Sequence, residues 1–276
     1  MNNKVKIDLG EVQRTLLIPL YGRAKEYEKE HPLIKDKFAH DIVQHIDFDF
    51  EGEFRQMPIQ MSINSAIRAY HLDSAISKFI SKYPDATIIN IGAGLDTTFH
   101  RIDNGTIFWY DLDLPDSIEL RQKLIPETKR NIYISKSVFD TSWFQDIKER
   151  RSKVFFMAAG VLVYLEEQQI KELFLKLIQE FPESEIEFDT YSKTVLWLRN
   201  NLLAKRNQKS KVLANWHWGV NSAKAITKWS DKIKIIDEFP YYSRIDLEKY
   251  LDKKSLSFIK MVSFFNSMKM VHLKFG

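Results

Sequence analysis

From Thr87 onward the chain alternates short runs of β-branched and aromatic residues with amphipathic stretches, and that alternation restricts the fold more than any other feature. The runs are TIINIG, TIFWYDLDL, NIYISKSVF, KVFFMAAGVLVYL and EIEFDTY; between them lie segments such as SIELRQKLI and EEQQIKELFLKLIQEF, with apolar residues at helical spacing. Strands separated by helices pair in parallel, because a parallel neighbour is reached only through a long crossover. From Glu11 to Tyr83 the pattern is helical throughout, in LLIPLYGRAKEYEKE, KFAHDIVQHI and NSAIRAYHLDSAISKFISKY. After EIEFDTY comes a stretch rich in Asn, Lys and Trp, read as helical, and then KIKIIDEFPYY and KMVHLKFG, read as two last strands. There is no internal repeat or low-complexity linker, so residues 1–276 are expected to form one domain: a helical N-terminal cap (1–83), a ligand-binding core (84–191), an insert (192–232) and the last strands (233–276).

The first strand runs into IINIGAGLDTTFHRI. Gly92 and Gly94 free the backbone to turn tightly beneath a ligand, with Ala93 between them. A dinucleotide fingerprint requires a third glycine or alanine three residues after Gly94, where this chain has Thr97. The loop instead carries Asp96, whose charge has the wrong sign beside a phosphate. The ligand implied lacks phosphate and bears positive charge.

Composition narrows the function classes without choosing among them. A net charge of +4 with no long basic block does not indicate nucleic acid. The absence of cysteine removes disulfides, thiolate catalysis and cysteine zinc sites, and the seven histidines lack metal-ligand spacing, so no metal is expected. No apolar run is long enough for a membrane span and MNNKVKIDLGEVQRT lacks a signal-peptide core, so the expected setting is the cytoplasm, away from membranes.

In an open α/β sheet the ligand lies at the carboxyl ends of the strands. The second run ends in Asp111, Leu112 and Asp113, the third leads to Asp140, and the fourth reaches Ala159 and Gly160. An acid at the end of the second strand accepts both hydroxyls of a free ribose, and Asp140 can accept from an adenine amine or cap the turn at Ser142. An adenosine ligand with a cation and no phosphate points to S-adenosylmethionine.

IINIGAGLDTTFHRI, WYDLDLPDSIELRQKL and GVLVYLEEQQIKELFLKL, with LYGRAKE and AIRAYHLD before them, closely resemble the leucine carboxyl methyltransferase family, above all its bacterial branch of polyketide-type O-methyltransferases. The resemblance implies a Rossmann-like class I methyltransferase fold: a mostly parallel seven-stranded sheet of order 3-2-1-4-5-7-6, helices on both faces, a helical N-terminal cap and a lid insert after strand 5. Arg68 matches the arginine that holds the cofactor's methionine carboxylate, and Arg23, with Lys25 as the alternative, matches a second basic residue near the donor. Gly92 and Gly94 match the turn under the adenosyl group; Asp113 matches the ribose acid better than Asp111; Asp140 matches the adenine contact. One position departs from the pattern. The family carries Ala-Glu-Gly before its apolar run, whereas this chain reads FMAAGVLVYL, with Ala159 where the acid belongs.

The implied reaction is in-line transfer of the sulfonium methyl to an acceptor oxygen, governed chiefly by alignment and exclusion of water. A carboxylate acceptor is already ionised at neutral pH, whereas a phenol gains from a general base. Tyr164 and His217 are the candidates for that base, and their weakness favours a carboxyl over a phenolic acceptor. The expected activity is therefore O-methylation of a small molecule. A protein C-terminal carboxyl methyltransferase and a non-catalytic cofactor-binding relative are the alternatives.

Overall fold

A computed structural model describes residues 4–6, 11–54, 59–147, 153–203, 216–264 and 267–276. Four helices precede the first strand: α1 (Glu11–Tyr27), α2 (Lys37–His45), α3 (Phe50–Phe54) and α4 (Ile59–Lys82). The sheet comprises β1 (Thr87–Ile91), β2 (Phe108–Asp113), β3 (Asn131–Ser135), β4 (Val154–Ala158), β5 (Glu185–Tyr191), β6 (Ile233–Pro240) and β7 (Met268–Phe275). Their order is β3-β2-β1-β4-β5-β7-β6, with β1 to β5 parallel and β7 antiparallel to both neighbours. This is the topology implied by the sequence. The remaining helices are α5 (Thr98–Ile102), α6 (Pro115–Leu124), α7 (Glu167–Glu180), α8 (Lys193–Leu198) and α9 (Lys253–Phe264).

Alternation along each strand sorts the core into two faces. Ile89, Ile91, Tyr110, Phe156 and Phe188 join the apolar stripe of α7, while Ile88, Trp109, Phe155 and Met157 meet Ile67, Ile76 and Phe79 of α4. Full burial of each such side chain contributes about 1.5–3 kcal/mol. A third cluster packs Leu17 and Leu20 of α1 and Ile42 of α2 against Leu95 and Leu120, which seats the N-terminal helices over the loop after β1.

Several expected strands are shorter than their apolar runs. In KVFFMAAGVLVYL the strand stops at Ala158, and Leu162–Tyr164 turns as 3-10 helix, because Gly160 (φ +70°) breaks the extended path. Tyr164 therefore lies beyond the fourth strand and is 45% exposed. Helix α9 was not expected from the sequence. Its signal is Asp252, whose Oδ1 accepts the N–H of Lys254 and of Ser255 at 3.0 Å, as an N-cap does.

On the α4 side of β5, Glu187 is buried, with His272 Nδ1 at 3.7 Å and Glu185 and Asp237 nearby. Burial, reinforced by Asp237, raises its carboxyl pKa from 4.5 to about 8. A proton held more tightly by the folded than by the unfolded chain stabilises fully below the unfolded pKa and is lost as pH rises through the folded one. Unfolding free energy should thus fall by about 3 kcal/mol between pH 5 and 8. Glu187→Gln should flatten that fall in denaturant titrations; an unchanged slope would assign it to other groups.

Candidate active site

The strand order reverses between β1 and β4, and a cleft opens at their carboxyl ends, enclosing about 530 Å³ with its open mouth included. Arg23 of α1, Arg68 of α4, the loop from Gly92 to Asp96, and Ala159 line it. Gly92 (φ +65°) donates its N–H to Leu112 O at 2.8 Å, and a Cβ there would lie 2.4 Å from Val161. Glycine is thus required at this turn both by backbone conformation and by space.

Asp113 sits where β2 meets this loop. Its Oδ2 accepts the Gly94 N–H at 2.7 Å and its Oδ1 the Leu114 N–H at 2.7 Å. Burial pushes its carboxyl above the ordinary range even against these two bonds. Asp111, two residues earlier, is fully buried. Its Oδ2 accepts from Arg121 Nη2 (2.6 Å) and Asn131 Nδ2 (2.7 Å), and its Oδ1 from Asn90 Nδ2 (2.9 Å) and Trp109 Nε1 (2.8 Å). With both oxygens used inside the fold, Asp111 ties three strands to α6, and the expectation that it contacts a cofactor gives way. Leu112 is likewise a core side chain, meeting the loop only through its carbonyl, which holds the N–H groups of Gly92 and Ala93.

The other expected residues separate by position. Asp96 Oδ1 accepts the Thr98 N–H at 2.8 Å, which shapes the loop into α5. Asp140 is exposed and caps the 3-10 turn Thr141–Asp146 through Ser142 N–H at 3.1 Å. Arg23 is buried, donating Nε to Asp36 Oδ2 (2.9 Å) and Nη2 to Leu95 O (2.8 Å), so it fastens the glycine loop from the α1 side. Lys25, the alternative, pairs with Glu28 and Glu51 at the surface, away from the cleft lining. His217 Nδ1 lies 2.8 Å from Glu166 Oε1, which turns its ring toward a surface carboxylate. Of the tryptophans of the insert, Trp218 packs into the core on Phe188, whereas Trp216 packs at a tilt against Tyr191 with centroids 4.1 Å apart.

One acid at the site went unread in the sequence. Asp189, in EIEFDTY of β5, is buried, accepts the Gly160 N–H at 2.6 Å through Oδ1 and holds Arg68 Nη2 at 3.1 Å from Oδ2. A lone acid in the second half of a buried strand was the available signal. Burial opposes the Arg68 charge, but Asp189 keeps the guanidinium firmly protonated, and its buried Nε finds no hydrogen-bond partner. The guanidinium lies over Gly160, where a Cβ would stand 2.5 Å from Nη1. Gly160→Ala should therefore push Arg68 aside, costing about 1–2 kcal/mol of stability for the left-handed backbone and about tenfold in donor affinity. Calorimetric titration checks this, and full affinity in the variant would remove Arg68 from the donor contacts.

The family model for leucine carboxyl methyltransferase matches residues 17–178. The chain belongs to that family. It is similar to the tetracenomycin polyketide synthesis O-methyltransferase TcmP of Streptomyces glaucescens, with 30% identity over 80% of this chain and 79% of the relative. It also resembles the S-adenosyl-L-methionine-dependent methyltransferase dpfgK of Gibberella zeae, at 27% identity over 78% of each chain. Among solved structures, a DUF574 family protein from Streptomyces avermitilis superposes with a TM-score of 0.59 at 12% identity, covering 95% of this chain and 97% of that one. A SAM-dependent methyltransferase from Anabaena variabilis gives 0.50 at 10% identity, covering 100% and 99%. The fold is that of the class I methyltransferases. As a member of the leucine carboxyl methyltransferase family, the protein is a methyltransferase whose methyl donor is S-adenosylmethionine. Among the described residues no helix is long and apolar enough to cross a membrane.

Proposed function

We propose that this methyltransferase transfers a methyl group to an oxygen of a small-molecule acceptor, and to a carboxylate in preference to a phenol. The observation that carries the reading is the pairing of a half-buried guanidinium, that of Arg68, with a glycine loop in one cleft. Arg68, with an unpartnered Nε, fits an amino-acid carboxylate, a planar anion that accepts two parallel hydrogen bonds. Gly92 and Gly94 leave room for an adenosyl group against the backbone, Asp113 supplies acceptors for two ribose hydroxyls, and the exposed Asp140 serves an adenine amine. The donor, when bound, supplies a sulfonium methyl as electrophile. The chain's own residues orient it: Asp189 holds Arg68 over Gly160, and Arg23 holds the loop at Leu95. Positioning of this kind accounts for much of the rate in a displacement that needs no protein nucleophile.

The preference for a carboxylate is supported by the candidate bases. His217 and Tyr164 are surface side chains, the first beside Glu166, and neither lines the cleft, so neither is placed to take a proton from an acceptor held there. A carboxylate needs none taken. The name of one relative, a polyketide synthesis O-methyltransferase, agrees with an oxygen acceptor on a small molecule. Ala159 favours a second reading, donor binding without transfer, since it lines the cleft where the family carries a carboxylate.

Thermal-shift titration with S-adenosylmethionine, S-adenosylhomocysteine and NAD, followed by labelled-methyl transfer to aromatic acids and matched phenols, tests both readings. The expected result is a concentration-dependent rise in melting temperature with the two adenosyl ligands alone, and label in the acids. Binding with no label in either class would support the second reading; label in phenols only would overturn the carboxylate preference.

A further inference from the structure

The insert after β5 is chemically unlike the rest of the chain. Residues 190–230 include no Asp or Glu and eight Lys or Arg, so the remaining residues carry a net negative charge although the whole chain is +4. One of these cations, Arg199, follows α8, and its guanidinium lies over the Trp216 ring, 4.1 Å from the centroid. Trp216 in turn packs against Tyr191, ring centroids 4.1 Å apart and planes tilted by 39°, which builds a wall of phenol, indole and guanidinium.

That wall is tied to the segment that follows Ala159 and Gly160. The N–H groups of His217 and Trp218 donate to Val163 O at 2.8 and 3.3 Å, and Asn200 Nδ2 donates to Trp216 O at 2.6 Å. Tyr164 and Tyr191 lie within electrostatic reach of both Arg199 and Arg68, so the two guanidiniums lie near the same pair of phenols. Their partners differ. Arg68 has Asp189, whereas Arg199 is met only by Asn200 Oδ1 at 3.4 Å and the Trp216 ring, with no carboxylate among the described residues. Burial lowers the Arg199 pKa, opposed only by the Tyr164 and Tyr191 phenols and by no carboxylate. The Trp216 indole N–H is also buried without an acceptor. A half-buried guanidinium over an indole ring, without an internal carboxylate, is suited to receive an external anion.

We infer that Arg199, stacked on Trp216, is the acceptor-selecting residue and that it takes the carboxylate of a planar aromatic acid whose ring lies against Tyr164 and Tyr191. The inference rests on the methyl-transfer reading above and deepens it. Arg68 serves the donor's carboxylate and Arg199 the acceptor's, so two anions of one active site are held by separate cations.

The test compares 2-naphthoate with 2-naphthamide, which differ in charge but hardly in shape, by calorimetric titration into protein saturated with S-adenosylhomocysteine. The acid is expected to bind at least about tenfold tighter than the amide, the scale of one charge-assisted contact. Arg199→Gln should erase that preference while leaving S-adenosylhomocysteine affinity unchanged, and Arg199→Lys should restore part of it. Equal binding of acid and amide, no binding of the acid, or a preference that survives in Arg199→Gln would overturn the inference. Failure of S-adenosylhomocysteine to bind would strike the donor reading instead and is seen before any acid is added; the comparison then runs on the protein alone, with the same criteria.

Discussion

Arg68→Ala is expected to weaken S-adenosylmethionine binding by about thirtyfold to a thousandfold, or about 2–4 kcal/mol, the range for removing one partner of a desolvated charge pair. The same change also strips Asp189 of its cation. Asp189 is buried on β5, so its unpaired charge should lower thermal stability as well as affinity. A double variant separates these effects. In Arg68→Met with Asp189→Asn, neither charge of the pair remains and the new amide oxygen still accepts the Gly160 N–H, so stability should return while affinity does not. Recovery of affinity together with stability in that double variant would show that Arg68 acts only on the fold.

Asp36→Ala should produce the largest loss of stability, about 3–5 kcal/mol, because it leaves the buried Arg23 without its anion and Arg101 with Asp73 alone. The carboxylate receives Arg23 Nε at 2.9 Å, Arg101 Nη1 at 2.6 Å, Thr97 Oγ1 at 2.6 Å and the Ala39 N–H at 3.0 Å. It therefore joins α1, α2, the glycine loop and α5 at one point. Burial alone would raise its pKa, but Arg101 and Arg23 outweigh burial and hold it below the ordinary range. A depressed folded pKa contributes stability that is present above the unfolded value and is lost as pH falls through the folded one. The Asp36 contribution thus fades in acid, the opposite direction to Glu187. Denaturant titrations at pH 7 and pH 3 check this: the gap between parent and Asp36→Asn should narrow at the lower pH, and a constant gap would remove the charge from the account.

The parallel sheet was legible because a βαβ pattern repeats one local signal many times: a β-branched run, a turn, an amphipathic stretch. The residues that line the cleft were legible where a backbone requirement forces a residue type, as at Gly92 and Gly94. Asp111 and Asp113 look alike in WYDLDLP, both acids at one strand end. Spaced two apart, they share the strand's alternation, so periodicity does not tell them apart. Their depth along β2 does: Asp111 lies within the paired strands beside Asn90, Asn131 and Arg121, whereas Asp113 stands at the strand's end beside Gly94. Those partners come from other strands and from α6, which the local sequence does not announce.

The sequence by itself determined the strand–helix alternation, the phosphate-free glycine loop and the family pattern in which Ala159 departs, since each is written in neighbouring residues whose propensities act locally. Only the tertiary structure decided which charges meet. Arg68 and Asp189 are 121 positions apart, Arg101 and Asp36 are 65, and no local signal marks either as a partner. Inside the fold such pairs are chosen by burial: a charge removed from water must find an opposite charge across the packed layers, and its position in three dimensions selects the partner.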